Sequence, residues 1–133
     1  MTIAIVCVIL AGFLPIVAAG IAKFGPLEQN APDAFDNNNP RQWLARQTGL
    51  RARANAAQAN TFESLPFFYV AVALAISLDA PKANLDLLAI VYLLARIAYI
   101  ICYIFDWPNT RTFVWLIGVI AIMAIFFQIW EHT

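Results

Sequence analysis

The sequence predicts an all-α integral membrane protein, a bundle of four transmembrane helices. Of its 133 residues, 62% are hydrophobic and 12% charged, which is far more apolar than an average soluble domain. Four apolar segments, at about residues 3–22, 52–78, 85–105 and 111–130, take up most of the chain. Each approaches or exceeds the ~20 residues a spanning helix needs. One polytopic domain covering residues 1–133 follows, with a polar loop at 24–50 and no separate soluble module.

The first segment is long enough to span, and Gly12 and Pro15 fall in its middle, where proline is expected to bend a helix whose freed carbonyl a neighbour can satisfy. It lacks the basic start and cleavage pattern of a signal peptide, so it is expected to be retained. In the loop that follows, Pro26, Pro32, Pro40 and the run Asp36-Asn-Asn-Asn39 oppose regular structure. A short interfacial helix can start at Pro40 with Asn39 as its cap and Trp43 as a surface anchor.

The second span is the unusual one. Its uninterrupted apolar run, Leu65 to Leu78, is only 14 residues long, so the polar turns before it must help to cross the membrane. Those turns hold Arg51, Arg53, Asn55, Gln58, Asn60 and Glu63, and an ionisable group at such depth marks a candidate functional site. At about 100° per residue, Arg53, Ala56, Asn60, Glu63 and Phe67 share one face, while Arg51, Asn55, Gln58 and Phe62 share the opposite one. Alanines between them allow close helix approach. Pro66 is expected to kink the helix one turn beyond Glu63.

The turn Asp79-Ala-Pro-Lys-Ala-Asn84 is short, which makes the second and third spans antiparallel neighbours. The third span carries Arg96 near its centre, with Tyr92, Tyr99 and Tyr103 on the same face. A mid-membrane arginine needs a partner. Glu63 and Arg96 should both lie roughly 15 Å below the same surface, at about 1.5 Å of rise per residue. They are therefore expected to meet directly or through a shared polar network. Asp106-Trp-Pro-Asn109 forms a second tight turn, in which Asn109 can cap the fourth span, and Arg111 then falls in that span's first turn, where anions are favoured. Lysine and arginine cluster in the first and third loops and their flanks, so the positive-inside rule puts both termini outside and the basic mouth in the cytoplasm.

Composition also excludes some classes. The formal net charge of zero, without a basic stripe, argues against nucleic acid. Cys7 and Cys102 lie in apolar segments without paired spacing or a nearby histidine, so no metal site is expected. No nucleophile-base pair or phosphate loop appears either. What remains is a membrane cavity with an arginine-rich entrance, a buried Asn-Glu pair and tyrosine hydroxyls one helix away. Such a set suits a small anionic peptide-like ligand, with arginines on its carboxylates and Asn60 and Glu63 on its amino or amide groups. A guanidinium or phenol beside the ligand's own thiol would stabilise the thiolate.

The run Ala57-Gln-Ala-Asn60-Thr-Phe-Glu63-Ser-Leu-Pro66-Phe resembles the second-helix signature of the MAPEG family, the membrane-associated proteins of eicosanoid and glutathione metabolism. Arg96, Tyr99, Tyr103 and Arg111 resemble the same family's pattern, and the run from Arg51 to Asn60 looks most like its bacterial branch. The resemblance implies a homotrimer in a bacterial inner membrane, with glutathione as cosubstrate between protomers near the cytoplasmic face. By position it implies Asn60, Glu63, Arg96, Tyr99 and Tyr103 as glutathione-binding residues, with Arg51 and Arg53 at the mouth and Arg111 as the catalytic residue that activates the thiol. Ala56 departs from the pattern, standing where members with transferase activity carry arginine, and Arg53 and Arg51 are the nearest replacements. Ser64 stands where leukotriene-forming members have tyrosine.

Two functions compete at this point. One is a glutathione-dependent transferase or peroxidase acting on hydrophobic electrophiles or lipid hydroperoxides. The other is a non-catalytic scaffold, lipid-binding protein or accessory subunit of a larger membrane complex. A transporter or channel subunit is a third and weaker reading, because four helices enclose too little space for a pore.

Overall fold

The computed structural model describes residues 2–26 and 34–133. Five helices follow in order: α1 (Ile3–Phe24), α2 (Pro40–Ala45), α3 (Gly49–Ser77), α4 (Lys82–Ile104) and α5 (Pro108–His132). All but α2 are long and apolar enough to cross a membrane, and the described residues contain no strand. Helices α3 and α4 contact each other, α1 packs on both from one flank, and α5 packs on both from the other.

Small side chains hold α1 to the bundle. Its buried residues, Ala4, Cys7, Ala11, Pro15, Ala18 and Ala22, recur every three or four positions and form one stripe. The facing stripe on α3 begins Ala54, Ala57, Thr61, Leu65 and Phe68. Between apolar helices in lipid the gain comes from close van der Waals packing rather than from escaping water, and small residues permit that approach. Gly12 shows how close it is, since a methyl group there would sit 2.7 Å from the Tyr69 hydroxyl. The large apolar residues of α1, including Phe13, Ile16 and Val17, point outward, as a lipid-facing surface requires. Pro15 and Pro66 both lie inside helices that run on past them.

The two tight turns are built alike. Asp79 and Asp106 take φ values of 54° and 57°, a left-handed conformation that Asp tolerates better than most side chains. Each helix then closes with paired bonds: the Ala80 amide donates to the Ala75 carbonyl and the Trp107 amide to Cys102, at 2.9 and 2.8 Å. This is a Schellman ending, and the proline that follows each turn stops the old helix and opens the next region. Because Pro108 already starts α5, Trp107 occupies the cap position. Asn109 is therefore inside the helix and does not cap it, contrary to the sequence expectation.

The first connection differs from its expectation in a similar way. Asn39 precedes α2 but makes no capping bond; its side chain instead donates to the Asp36 carboxylate at 3.5 Å. Trp43, expected as a surface anchor, is buried, with Phe35 edge-on at 5.1 Å and the Arg51 guanidinium 5.2 Å above its ring. The middle of this loop, residues 27–33 with Pro32, lies outside the described residues.

Polar side chains collect at the two ends of the bundle. At one end the Asp86 carboxylate accepts the Ala4 amide of α1 at 2.8 Å, answering one of the unpaired donors at a helix start. At the other end, α3 and α5 begin while α1 and α4 finish, and the arginines gather there.

A candidate intramembrane site between three helices

Arg51 and Arg53 sit in the first turns of α3, and each clamps the end of a different neighbour. Arg51 donates through Nε and Nη2 to the Gly25 carbonyl just past α1, at 3.2 and 2.9 Å. Arg53 does the same to the Ile104 carbonyl at the end of α4, at 3.3 and 3.1 Å. A cation on the exposed carbonyls at a helix C-terminus complements both the unpaired acceptors and the dipole. The two-residue spacing, which puts the side chains about 200° apart, lets one turn of α3 hold two helices.

Deeper in, two phenols of α4 lie between two guanidinium groups, one from α4 and one from α5. The Arg96 guanidinium lies 4.2 Å from the Tyr99 ring centre, Tyr99 meets Tyr103 edge to face at 5.4 Å, and the Arg111 guanidinium of α5 covers Tyr103 at 4.2 Å. Arg96 is 2% exposed. Its Nη2 donates to Asn60 Oδ1 at 3.1 Å and to Thr61 Oγ1 at 2.9 Å, and its Nε has no partner. No carboxylate balances this charge among the described residues, so ring faces and neutral oxygens carry the compensation.

The direct meeting of Glu63 and Arg96 does not occur. With Asn60 taken as zero, Thr61 lies at about 100° and Glu63 at about −60° around α3. Arg96 docks on the Asn60–Thr61 side, which leaves Glu63 on the far side of Asn60, exposed. Asn60 is the link between them, bonded to Arg96 behind it and lining the same cavity as Glu63 in front.

Two cavities have Asn60 and Trp115 in common in their walls. The polar one, of about 210 Å³, is lined by Tyr99, Tyr103, Arg111 and Thr112 as well as those two. The other, of about 350 Å³, runs along the seam of α3 and α5, past Glu63, Ser64 and Phe67 to Met123 and Phe126. Of the long spans that pack on each other, α3 and α5 touch least, which leaves their seam as a groove. Its floor is braced by Tyr92, whose hydroxyl shares a 2.8 Å hydrogen bond with Ser64 and whose ring stacks on Phe68 at 3.9 Å.

Of the residues singled out from sequence, Asn60, Tyr99, Tyr103 and Arg111 share the polar cavity, Glu63 lines the apolar one, and Arg96 stands behind Asn60. Arg51 and Arg53 are engaged with main-chain carbonyls. Thr61 and the α5 wall, Trp115, Val119, Ile122 and Phe126, were not identified. Their signal was present: from Arg111 they recur at four, eight, eleven and fifteen positions, one helical stripe.

Fold and site together define a multi-pass integral membrane protein whose helices carry a polar pocket next to an apolar groove. The sequence matches the model of the MAPEG family over residues 3–130, and the chain belongs to that family, which is known for glutathione-related membrane enzymes. Neither the curated proteins nor the solved structures contain a match to it.

Proposed function

We propose that the chain is a glutathione-dependent membrane transferase or peroxidase acting on hydrophobic electrophiles or lipid hydroperoxides. The observation that carries this reading is that a cationic, hydroxyl-rich cavity and an apolar groove share Asn60 and Trp115 as common wall. A water-soluble anionic thiol and a lipid-soluble partner could meet there. The donor set fits glutathione: Arg111 offers a guanidinium with no carboxylate on it among the described residues, and Arg96 adds positive potential from behind Asn60. Arg96 holds the Asn60 oxygen, so the Asn60 amide N–H groups are left for the ligand.

In this mechanism glutathione enters from the cytoplasm and its carboxylates are held by Arg111 and the amide of Asn60, with Glu63 receiving its amino group. Arg111 and the phenols of Tyr99 and Tyr103 favour loss of the thiol proton to water. The thiolate then forms a sulfur–carbon bond with an electrophile lying along Phe67 and Phe126, and the leaving group departs with the bonding electrons. The family resemblance implies three copies, each groove closed by a neighbour. Purified protein given glutathione and an aryl halide or cumene hydroperoxide should turn over, and Arg111→Ala should abolish that turnover. Failure of glutathione to bind by calorimetry would refute the reading.

A scaffold or accessory role is the second reading. It is favoured by the placement of Arg51 and Arg53, whose guanidiniums are occupied by Gly25 and Ile104 and leave the mouth poorer in free cations than its composition suggests.

A further inference from the structure

At the end of the bundle away from the arginines, α4 and α5 leave a second groove that the reading above does not use. The cavity measures about 220 Å³. Its mouth is polar, with Asn84 at the start of α4 and Gln128 and Glu131 at the end of α5, and its body is apolar, with Leu87, Leu88 and Phe127. At about 1.5 Å of rise per residue, the body descends roughly 10 Å into the bundle from the helix ends, to the level where headgroups give way to acyl chains.

Gln128 marks this groove as more than a surface dent. It is 9% exposed, and its Nε2 donates to the Pro81 carbonyl at 2.8 Å. A carbonyl only accepts, so the amide nitrogen must face Pro81 and the orientation of the amide is fixed. Its oxygen is therefore committed to the other direction, where it is buried with no partner. An unanswered acceptor at such a position costs about 1–3 kcal/mol. Two further acceptor-bearing groups, the Glu131 carboxylate one turn along α5 and the Asn84 amide across the groove, flank it without a cation in the lining.

We propose that this groove binds a membrane lipid whose headgroup is a protonated primary amine. The ammonium has three N–H donors, enough for the Glu131 carboxylate, Asn84 Oδ1 and, once the headgroup parts the groove wall that covers it, the buried Gln128 Oε1, and an acyl chain would follow Leu87, Leu88 and Phe127. A trimethylated headgroup carries the same charge but has no N–H to give. An anionic headgroup meets Glu131 with like charge. The site therefore discriminates by hydrogen bonding rather than by charge alone.

The test is native mass spectrometry of the delipidated protein in detergent, with equal amounts of dioleoylphosphatidylethanolamine and dioleoylphosphatidylcholine. The expected result is about fivefold or greater retention of the ethanolamine lipid, as loss of charge-assisted hydrogen bonds implies for its rival. Free ethanolamine should not displace it. Glu131→Gln, an exposed position that leaves packing intact, should cut the preference to about twofold or less. Gln128→Lys, which keeps a donor for Pro81 but removes the acceptor, should do the same. Equal retention of the two lipids, or a preference that survives Glu131→Gln, overturns the proposal. Retention of neither lipid also overturns it and leaves the face to a second copy of the chain. None of these results depends on glutathione turnover, so this inference and the catalytic reading can fail separately.

Discussion

Thr61→Val tests the polar interior most directly. Thr61 is fully buried; its hydroxyl donates to the Ala57 carbonyl at 2.7 Å and accepts from Arg96 Nη2 at 2.9 Å. Valine keeps the shape and removes the acceptor. A hydrogen bond to a charged donor is worth about 1.5–3 kcal/mol in soluble proteins, but interhelical hydrogen bonds in membranes average about 0.6 and reach about 1.7 kcal/mol. Arg96 is charged and its Nε already lacks a partner, so the upper membrane value applies, and the expected cost is about 1.5 kcal/mol. In an Arg96→Leu background there is no donor to disappoint, and the same Thr61→Val change should cost about 0.3 kcal/mol or less. Arg96→Leu alone should be close to neutral or stabilising, because a desolvated charge without a counter-ion is replaced by an apolar side chain. Reversible unfolding of the four proteins in bicelles gives the cycle. A coupling below about 0.5 kcal/mol would refute the account of how the guanidinium is held.

Other outcomes follow from the same geometry. Arg111→Lys keeps the charge but loses the planar face on Tyr103 and bidentate binding, so glutathione turnover should fall by about tenfold rather than vanish. Gly12→Ala should cost about 1 kcal/mol in wild type, since the added methyl would press on the Tyr69 hydroxyl, and little in Tyr69→Phe, which a thermal-melt comparison would show. Arg51→Gln should lower stability by about 1–2 kcal/mol through the lost Gly25 clamp, with a larger effect on melting than on glutathione affinity by calorimetry. Asp36 has its carboxyl held below the usual carboxylate range chiefly by the Asn38 amide. The support it gives this turn should therefore be complete above the ordinary value of about 3.9 and be lost only as pH falls through the depressed one. The Asn38 amide resonance, followed by NMR against pH, reports it.

The sequence by itself determined the bundle and the family. Lipid forces every spanning backbone to satisfy its own hydrogen bonds, so hydropathy and length mark the helices, and proline and aspartate mark the breaks between them. The stripe from Arg53 to Phe67 and the face from Tyr92 to Tyr103 were legible because helical period alone decides which residues share a side. Only the tertiary structure decided what each polar group touches. Glu63 and Arg96 matched in depth, yet depth says nothing of rotation about the helix axis, and Asn60 with Thr61 took the guanidinium instead. Arg51 and Arg53 read as ligand groups until the ends of α1 and α4 came within reach, because an exposed carbonyl at a helix terminus exists only once the chain has folded back. Whether a buried polar side chain serves the fold or faces a cavity depends on which neighbour arrives, and that is fixed by packing between spans far apart in sequence.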